Sequence, residues 1–238
     1  MLELRFLVYL LEGIAAVCCF YYLGKNPEDK ATRILGYLLL ITYLVESLGD
    51  IPTIIYRYKN LHFLKETFLS NNFWLYNPYL IINFLILIHY FKMQLHNLKL
   101  IKIINISLIL YLISCTLNLI FSNDYFTTNS PFTFVFGSLF LLIVIFLYYF
   151  EVLMSSRILN ITKEISFYIS IGAVIFYLCT TPIVIYFTHF NSFSSAFGKL
   201  SSIILIATNI FMYGTFSIAF LCLANKKKPS PKRLKNAF

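Results

Sequence analysis

Charge is what this sequence has least of. Asp, Glu, Lys and Arg together make up 12% of its 238 residues, against about 25% in an ordinary soluble domain. With 59% hydrophobic residues, too little is left to build a polar shell around a core of this length, and a soluble globular fold is excluded. Basic residues are missing from the depth of the long apolar stretches. The last stretch, Leu200–Ala224, has no lysine, which excludes a retinal Schiff base there. Histidine is sparse: His62, His96 and His189 fall in connecting segments and His89 alone lies within an apolar stretch, whereas a catalytic zinc needs about three converging ligands. The five cysteines, Cys18, Cys19, Cys115, Cys179 and Cys222, show no metal-ligand spacing and read as small packing residues. No Gly-x-Ser-x-Gly elbow occurs. Asp50 is the sole aspartate inside an apolar stretch, so two-aspartate intramembrane chemistry is not expected. No metal or cofactor is expected.

What is present is a series of apolar stretches, each near the roughly 20 residues that a spanning helix needs. There are seven: Phe6–Leu23, Ile34–Tyr56, Phe73–Phe91, Ile103–Phe121, Phe132–Met154, Ile165–Phe187 and Leu200–Ala224. The reading is an all-α polytopic membrane protein, a seven-transmembrane-helix bundle over 1–225 with a basic tail over 226–238. The first stretch is read as a helix of the bundle, because Glu3 and Glu12 stand where a signal peptide carries a basic start and a clean apolar run. The links are short, and the longest, Arg57–Asn72, has room for one interfacial turn around Leu61–Phe68.

Basic residues set the expected sidedness. With the C-terminus inside, the cytoplasmic segments hold Lys25, Lys30, Arg33, Lys92, Lys99, Lys102, Arg157 and Lys163. To these the tail adds Lys226, Lys227, Lys228, Lys232, Arg233 and Lys235. The other side holds only Arg5, Arg57, Lys59, Lys65 and Lys199. The expectation is N-terminus outside and C-terminus cytoplasmic, in a cell inner membrane. The tail is expected to adhere to anionic lipid, each basic residue adding about 1 kcal/mol. The +9 net charge is therefore no footprint of nucleic acid. Trp74, Tyr76 and Tyr79 are expected as aromatic anchors at the outer end of the third helix.

Four carboxylates lie within apolar stretches: Glu12, Glu46, Asp50 and Glu151. An ionised group at the bilayer centre costs at least about 2.5–3.5 kcal/mol, so such groups face a bundle interior, a cavity or a partner. Glu46 and Asp50 are four residues apart, so they share one helix face and resist ionising together. Glu12, Asn83 and Asn209 fall at similar depth, with Asn77, Thr180 and Thr181 in the outer half. Together these eight could line a cavity open to the outside that takes a proton, a cation or another small ligand; the amides and hydroxyls also serve as ordinary interhelical hydrogen bonds. Tyr76, Asn83 and Tyr90 recur every seven residues as one polar stripe. Glu151 and His89 are expected nearer the inner side, as a contact point or as a snorkelling carboxylate and a core histidine. Leu48-x-x-x-Pro52-x-Ile54-Ile55-Tyr56 echoes Leu178-x-x-x-Pro182-x-Val184-Ile185-Tyr186. Such an echo would fit a three-plus-one-plus-three arrangement of parallel repeats, as in some solute carriers.

The stretch Phe146–Phe187, with Tyr149-Phe150-Glu151, Ile169–Gly172 and Pro182, resembles an uncharacterised bacterial seven-transmembrane-helix protein family. The region before Glu46 and the Tyr76-Asn77 pair are similar as well. The resemblance implies a place beside histidine-kinase signalling and therefore a cytoplasmic or membrane signalling partner. It supplies no catalytic residues. Three functions follow as expectations. The first is a non-enzymatic sensor or accessory subunit with an acidic outer-half cavity. The second is a small-solute carrier. The third, for which Leu48-Gly49-Asp50 offers a partial motif, is a membrane-embedded lipid hydrolase.

Overall fold

The computed structural model describes residues 2–122, 124–189 and 195–225. The polybasic segment from Lys226 to Lys235, expected to bind lipid, lies outside the described residues. Among those described there are helices and no strands. They run α1 (Leu2–Lys25), α2 (Lys30–Gly49), α3 (Ile51–Arg57), α4 (Phe73–Lys92), α5 (Leu98–Phe121), α6 (Asp124–Thr127), α7 (Pro131–Leu153), α8 (Ile165–His189) and α9 (Ser195–Leu223). Seven helical stretches are long and apolar enough to cross a membrane, with α2 and α3 counting as one. The protein is thus a multi-pass membrane protein. In hydrocarbon every backbone polar group must be satisfied within the chain, and helices do this without outside partners.

The helix starts are written in the sequence. Asp29 accepts a hydrogen bond from the Thr32 amide at the start of α2, and Asn97 accepts from the Lys99 and Leu100 amides at the start of α5. Ser130 accepts from the Thr133 amide beside Pro131 at the start of α7. Each cap fills an amide that the first turn leaves unpaired. The second span breaks at Asp50. Pro52 has no N–H to give the Leu48 carbonyl, so the helix stops at Gly49 and restarts at Ile51. The Gly49 carbonyl takes the Asn72 side-chain amide instead, at 3.2 Å. In the long link, 3-10 helices at Lys59–Glu66 and Phe68–Ser70 occupy the place of the expected interfacial turn.

Six of the spans close into a ring. α1 packs on α2, α2 on α4, α4 on α7, α7 on α8, α8 on α9, and α9 returns to α1. α5 stands outside, resting on α4 and α7 through buried Ile104, Tyr111 and Cys115. Its remaining apolar surface, including Ile109, Leu110, Ile113 and Ile120, is exposed, as befits a lipid-facing helix. Small residues permit the closest approaches. A side chain added at Gly137 of α7 would overlap the buried Phe84 ring of α4 and the Tyr111 hydroxyl of α5.

The echo between the second and sixth spans does not carry into structure. Pro52 follows a helix break, whereas Pro182 sits inside the continuous α8. Ile55 is 1% exposed and its counterpart Ile185 is 42% exposed. The two segments meet different surroundings, so the prolines are not equivalent positions of a repeat.

Candidate functional site

Inside the ring, nearer the end where α1 begins, lie two adjoining hollows. The deeper one, of about 180 Å³, is bordered by Glu12, Thr42, Glu46, Tyr76, Tyr79, Asn83, Tyr177, Asn209 and Tyr213, with Leu and Phe side chains between them. The second, of about 320 Å³, is bordered by Tyr9, Glu12, Glu46, Gly49, Asp50, Thr53, Asn72, Tyr76 and Asn209. Glu12, Glu46, Tyr76 and Asn209 belong to both. Thr53, on the second hollow's wall, is exposed, so the space reaches the surface there.

The helix break positions the carboxylates. Glu46 sits on the last full turn of α2 and Asp50 at the break itself. The Tyr76 hydroxyl of α4 donates to Glu46 Oε2 at 2.7 Å, and the Tyr9 hydroxyl of α1 donates to Asp50 Oδ1 at 3.3 Å. Gly49 is required here, because any Cβ would run into the Tyr76 ring and push its hydroxyl off Glu46. Glu12 differs. It is 2% exposed, the Tyr213 hydroxyl lies within hydrogen-bonding reach of its carboxylate, and its Oε2 has no hydrogen-bond partner among the described residues. A buried carboxylate oxygen left unpaired is costly in a low dielectric. Among the described residues, no lysine, arginine or histidine borders either hollow. Among the described residues, no three His, Cys, Asp or Glu side chains gather closely enough to hold a metal ion.

Of the eight residues expected to share a cavity, Glu12, Glu46, Asp50, Asn83 and Asn209 border the two hollows. Asn83 donates to the Tyr177 hydroxyl at 2.9 Å, and Asn209 donates to the Leu205 carbonyl of its own helix at 2.8 Å. Asn77, Thr180 and Thr181 border neither. Asn77 is fully buried and clamps the link before α7: it donates to the Tyr125 and Thr128 carbonyls and accepts from the Ser130 amide. Thr180 bonds back to the Phe176 carbonyl within α8, and Thr181 joins α8 to Ser138 of α7 at 2.9 Å. These three match the cavity residues in depth but project in other directions around their helices.

Sequence reasoning missed the tyrosines. Tyr76 and Tyr79, expected as outer anchors, turn into the bundle; Tyr79 meets the Thr42 hydroxyl at 2.8 Å. Tyr9, Tyr177 and Tyr213 complete a set of hydroxyls around the acids. The seven-residue stripe was the signal that could have found one of them, since Tyr76, Asn83 and Tyr90 all direct polar groups inward, Tyr90 toward Ser166 at 3.2 Å.

Beyond the hollows the ring is shut. Tyr22, Tyr90, Phe91, Tyr148 and Phe220 are buried together toward the end where α1 finishes. At that end Glu151 accepts from the His96 backbone amide at 2.6 Å, from the Asn97 amide at 3.2 Å, and pairs with the His96 ring at 3.0 Å. It thus ties the link before α5 to the end of α7. His89 takes no part in that cluster. Arg157 forks onto Glu164 at 3.0 and 2.7 Å and donates to the Gln94 carbonyl at 2.9 Å. Burial works against the guanidinium's charge, but the hydrogen bonds and charge of Glu164 outweigh it, so the Arg157 pKa lies above its ordinary value.

Comparison with known protein families, with characterised proteins and with solved structures finds no match for this chain. The class the fold defines is a helical multi-pass membrane protein, and function has to be argued from the site.

Proposed function

We propose that this protein is a non-enzymatic sensor or accessory subunit of the membrane, which binds a small ligand in the carboxylate-lined hollow and passes the bound state to a signalling partner. One observation carries the reading: three carboxylates and several tyrosine hydroxyls surround a space that reaches the surface at one end and is shut by buried aromatic rings at the other. A ligand entering there touches α1, α2, α4 and α9 together, so it can favour one packing of these helices over another. It shifts the equilibrium only through its different affinity for the two packings. The links are too short to form an output domain, and the resemblance to a family associated with histidine kinases suggests that another protein reads the response. The sidedness of the basic residues supports a reading in which the open end lies outside an inner membrane.

The shut end and the non-equivalent prolines weigh against a carrier, whose polar pathway must continue to the far side in some state. The test is to purify the full chain from native membranes with its partner, reconstitute both, and record partner activity with and without the small molecules that co-purify. Glu46→Gln combined with Asp50→Asn is expected to weaken the ligand response at least tenfold. An unchanged response overturns the sensing role, and gradient-driven uptake of the same molecule into proteoliposomes would replace it with transport.

A further inference from the structure

Resting on the reading that this hollow binds a ligand, the geometry points to the class of that ligand: a small organic molecule carrying a primary ammonium group, its N–H groups directed at Glu12 and its apolar part seated among the rings of the deeper hollow.

Charge comes first. Glu12, Glu46 and Asp50 border the space and, among the described residues, no basic side chain does, so a cation is the occupant that the lining favours. Size separates organic from inorganic cations. About 180 Å³ in the deeper hollow alone is several times the roughly 30 Å³ share of one water. A bare metal ion would rattle in it, and the described carboxylates do not converge closely enough to chelate one. The lining combines acidic and apolar residues. Leu38, Leu80, Phe134, Phe176 and Phe216 supply contact for a nonpolar group, and the aromatic residues Tyr177 and Tyr213 line the hollow as well.

The hydrogen bonds then choose among organic cations. Glu46 receives the Tyr76 hydroxyl and Asp50 the Tyr9 hydroxyl. Glu12 Oε2, almost fully buried, receives no hydrogen bond from the described residues. A primary ammonium brings both a positive charge and N–H donors to that oxygen, and such charge-assisted bonds are roughly twice as strong as neutral ones. A quaternary ammonium brings the charge without the donor, and an alcohol brings the donor without the charge.

The experiment follows from that division. The full chain in lipid nanodiscs is titrated with 2-phenylethylamine, with its N,N,N-trimethyl analogue, with 2-phenylethanol and with calcium chloride, and binding is followed by calorimetry and by the thermal unfolding midpoint. The amine is expected to bind saturably and at least tenfold more tightly than either organic analogue, and Glu12→Gln is expected to abolish that preference. Equal affinity for the trimethyl analogue or the alcohol overturns the assignment, as does an undiminished preference in a folded Glu12→Gln protein. If the variant does not fold, the ligand series on the unaltered chain decides. Binding of the alcohol or calcium in place of the amine removes the ammonium class while leaving the hollow a binding site. Binding of none of the four removes both.

Discussion

A single buried amide shows how a polar residue in a membrane helix can be spent on architecture. Asn77 bonds the backbone of the link before α7 at three points, donating to two carbonyls and accepting from one amide. Asn77→Leu strands the buried Ser130 amide, at a cost of about 1–3 kcal/mol, and removes the bonds to the carbonyls of half-buried Tyr125 and exposed Thr128. The expected result is a loss of stability of about 2–4 kcal/mol, after relaxation of the link, with little change in ligand affinity. Unfolding by denaturant in detergent, run beside a binding titration, checks both halves. Thr181 and Asn77 had the depth of cavity residues and neither borders the cavity. Depth is legible because it follows from position along the apolar stretch. Direction around the helix is not, because these helices are apolar on nearly every side and offer no polar face to orient them. Glu46 and Asp50 escaped that ambiguity, since four-residue spacing fixes a shared face whatever the helix packs against. The tyrosines did not. With 18 in the chain, and the usual place of Tyr at membrane interfaces, nothing but the seven-residue stripe marked Tyr76 as an inward group.

Among elements, the links do as much as the spans to fix the ring. Hydropathy set out seven spans and the caps at Asp29, Asn97 and Ser130 explain their starts. The break at Asp50 was hidden in a stretch that reads as one helix, although Pro52 announced it. At the shut end the 3-10 helix Ser156–Lys163 is held by Arg157, which bridges Glu164 at the start of α8 and the Gln94 carbonyl after α4. Three elements meet on one guanidinium. Arg157→Met removes the fork and is expected to cost about 1–3 kcal/mol, a range that already allows for the pair being partly exposed. Arg157→Lys should restore less than half, because a point charge cannot reproduce two parallel bonds. The thermal midpoints of the three proteins check this order. The pH dependence has a definite sign. A raised folded pKa gives stabilisation that is complete below the unfolded value, itself far above neutral pH, and fades only above the folded one. Raising the pH from 7 to 10 should therefore leave the difference between Arg157 and Met unchanged.

For the whole molecule, the two ends of the ring are unlike, and that asymmetry is what a one-sided binding site requires. The acidic hollow opens at the end carrying Arg57, Lys59 and Lys65; the aromatic closure lies at the end carrying Lys25, Arg33, Lys99, Arg157 and Lys163. Basic residues near span ends stay on the cytoplasmic side, so the hollow is expected to face away from the cytoplasm. An extracytoplasmic ligand would then reach Glu46 and Asp50 without crossing the membrane, and only the closed face would meet an intracellular partner. Single cysteines in a background lacking the five native ones test the arrangement. Asn60→Cys lies in the exposed link at the open end and Asn160→Cys in the exposed 3-10 helix at the other. A membrane-impermeant maleimide is expected to label position 60 in intact cells or spheroplasts and position 160 only after permeabilisation. The reverse pattern would turn the hollow toward the cytoplasm. The site's chemistry would stand, but the ligand would have to come from inside, and the signalling direction proposed for the bundle would be inverted.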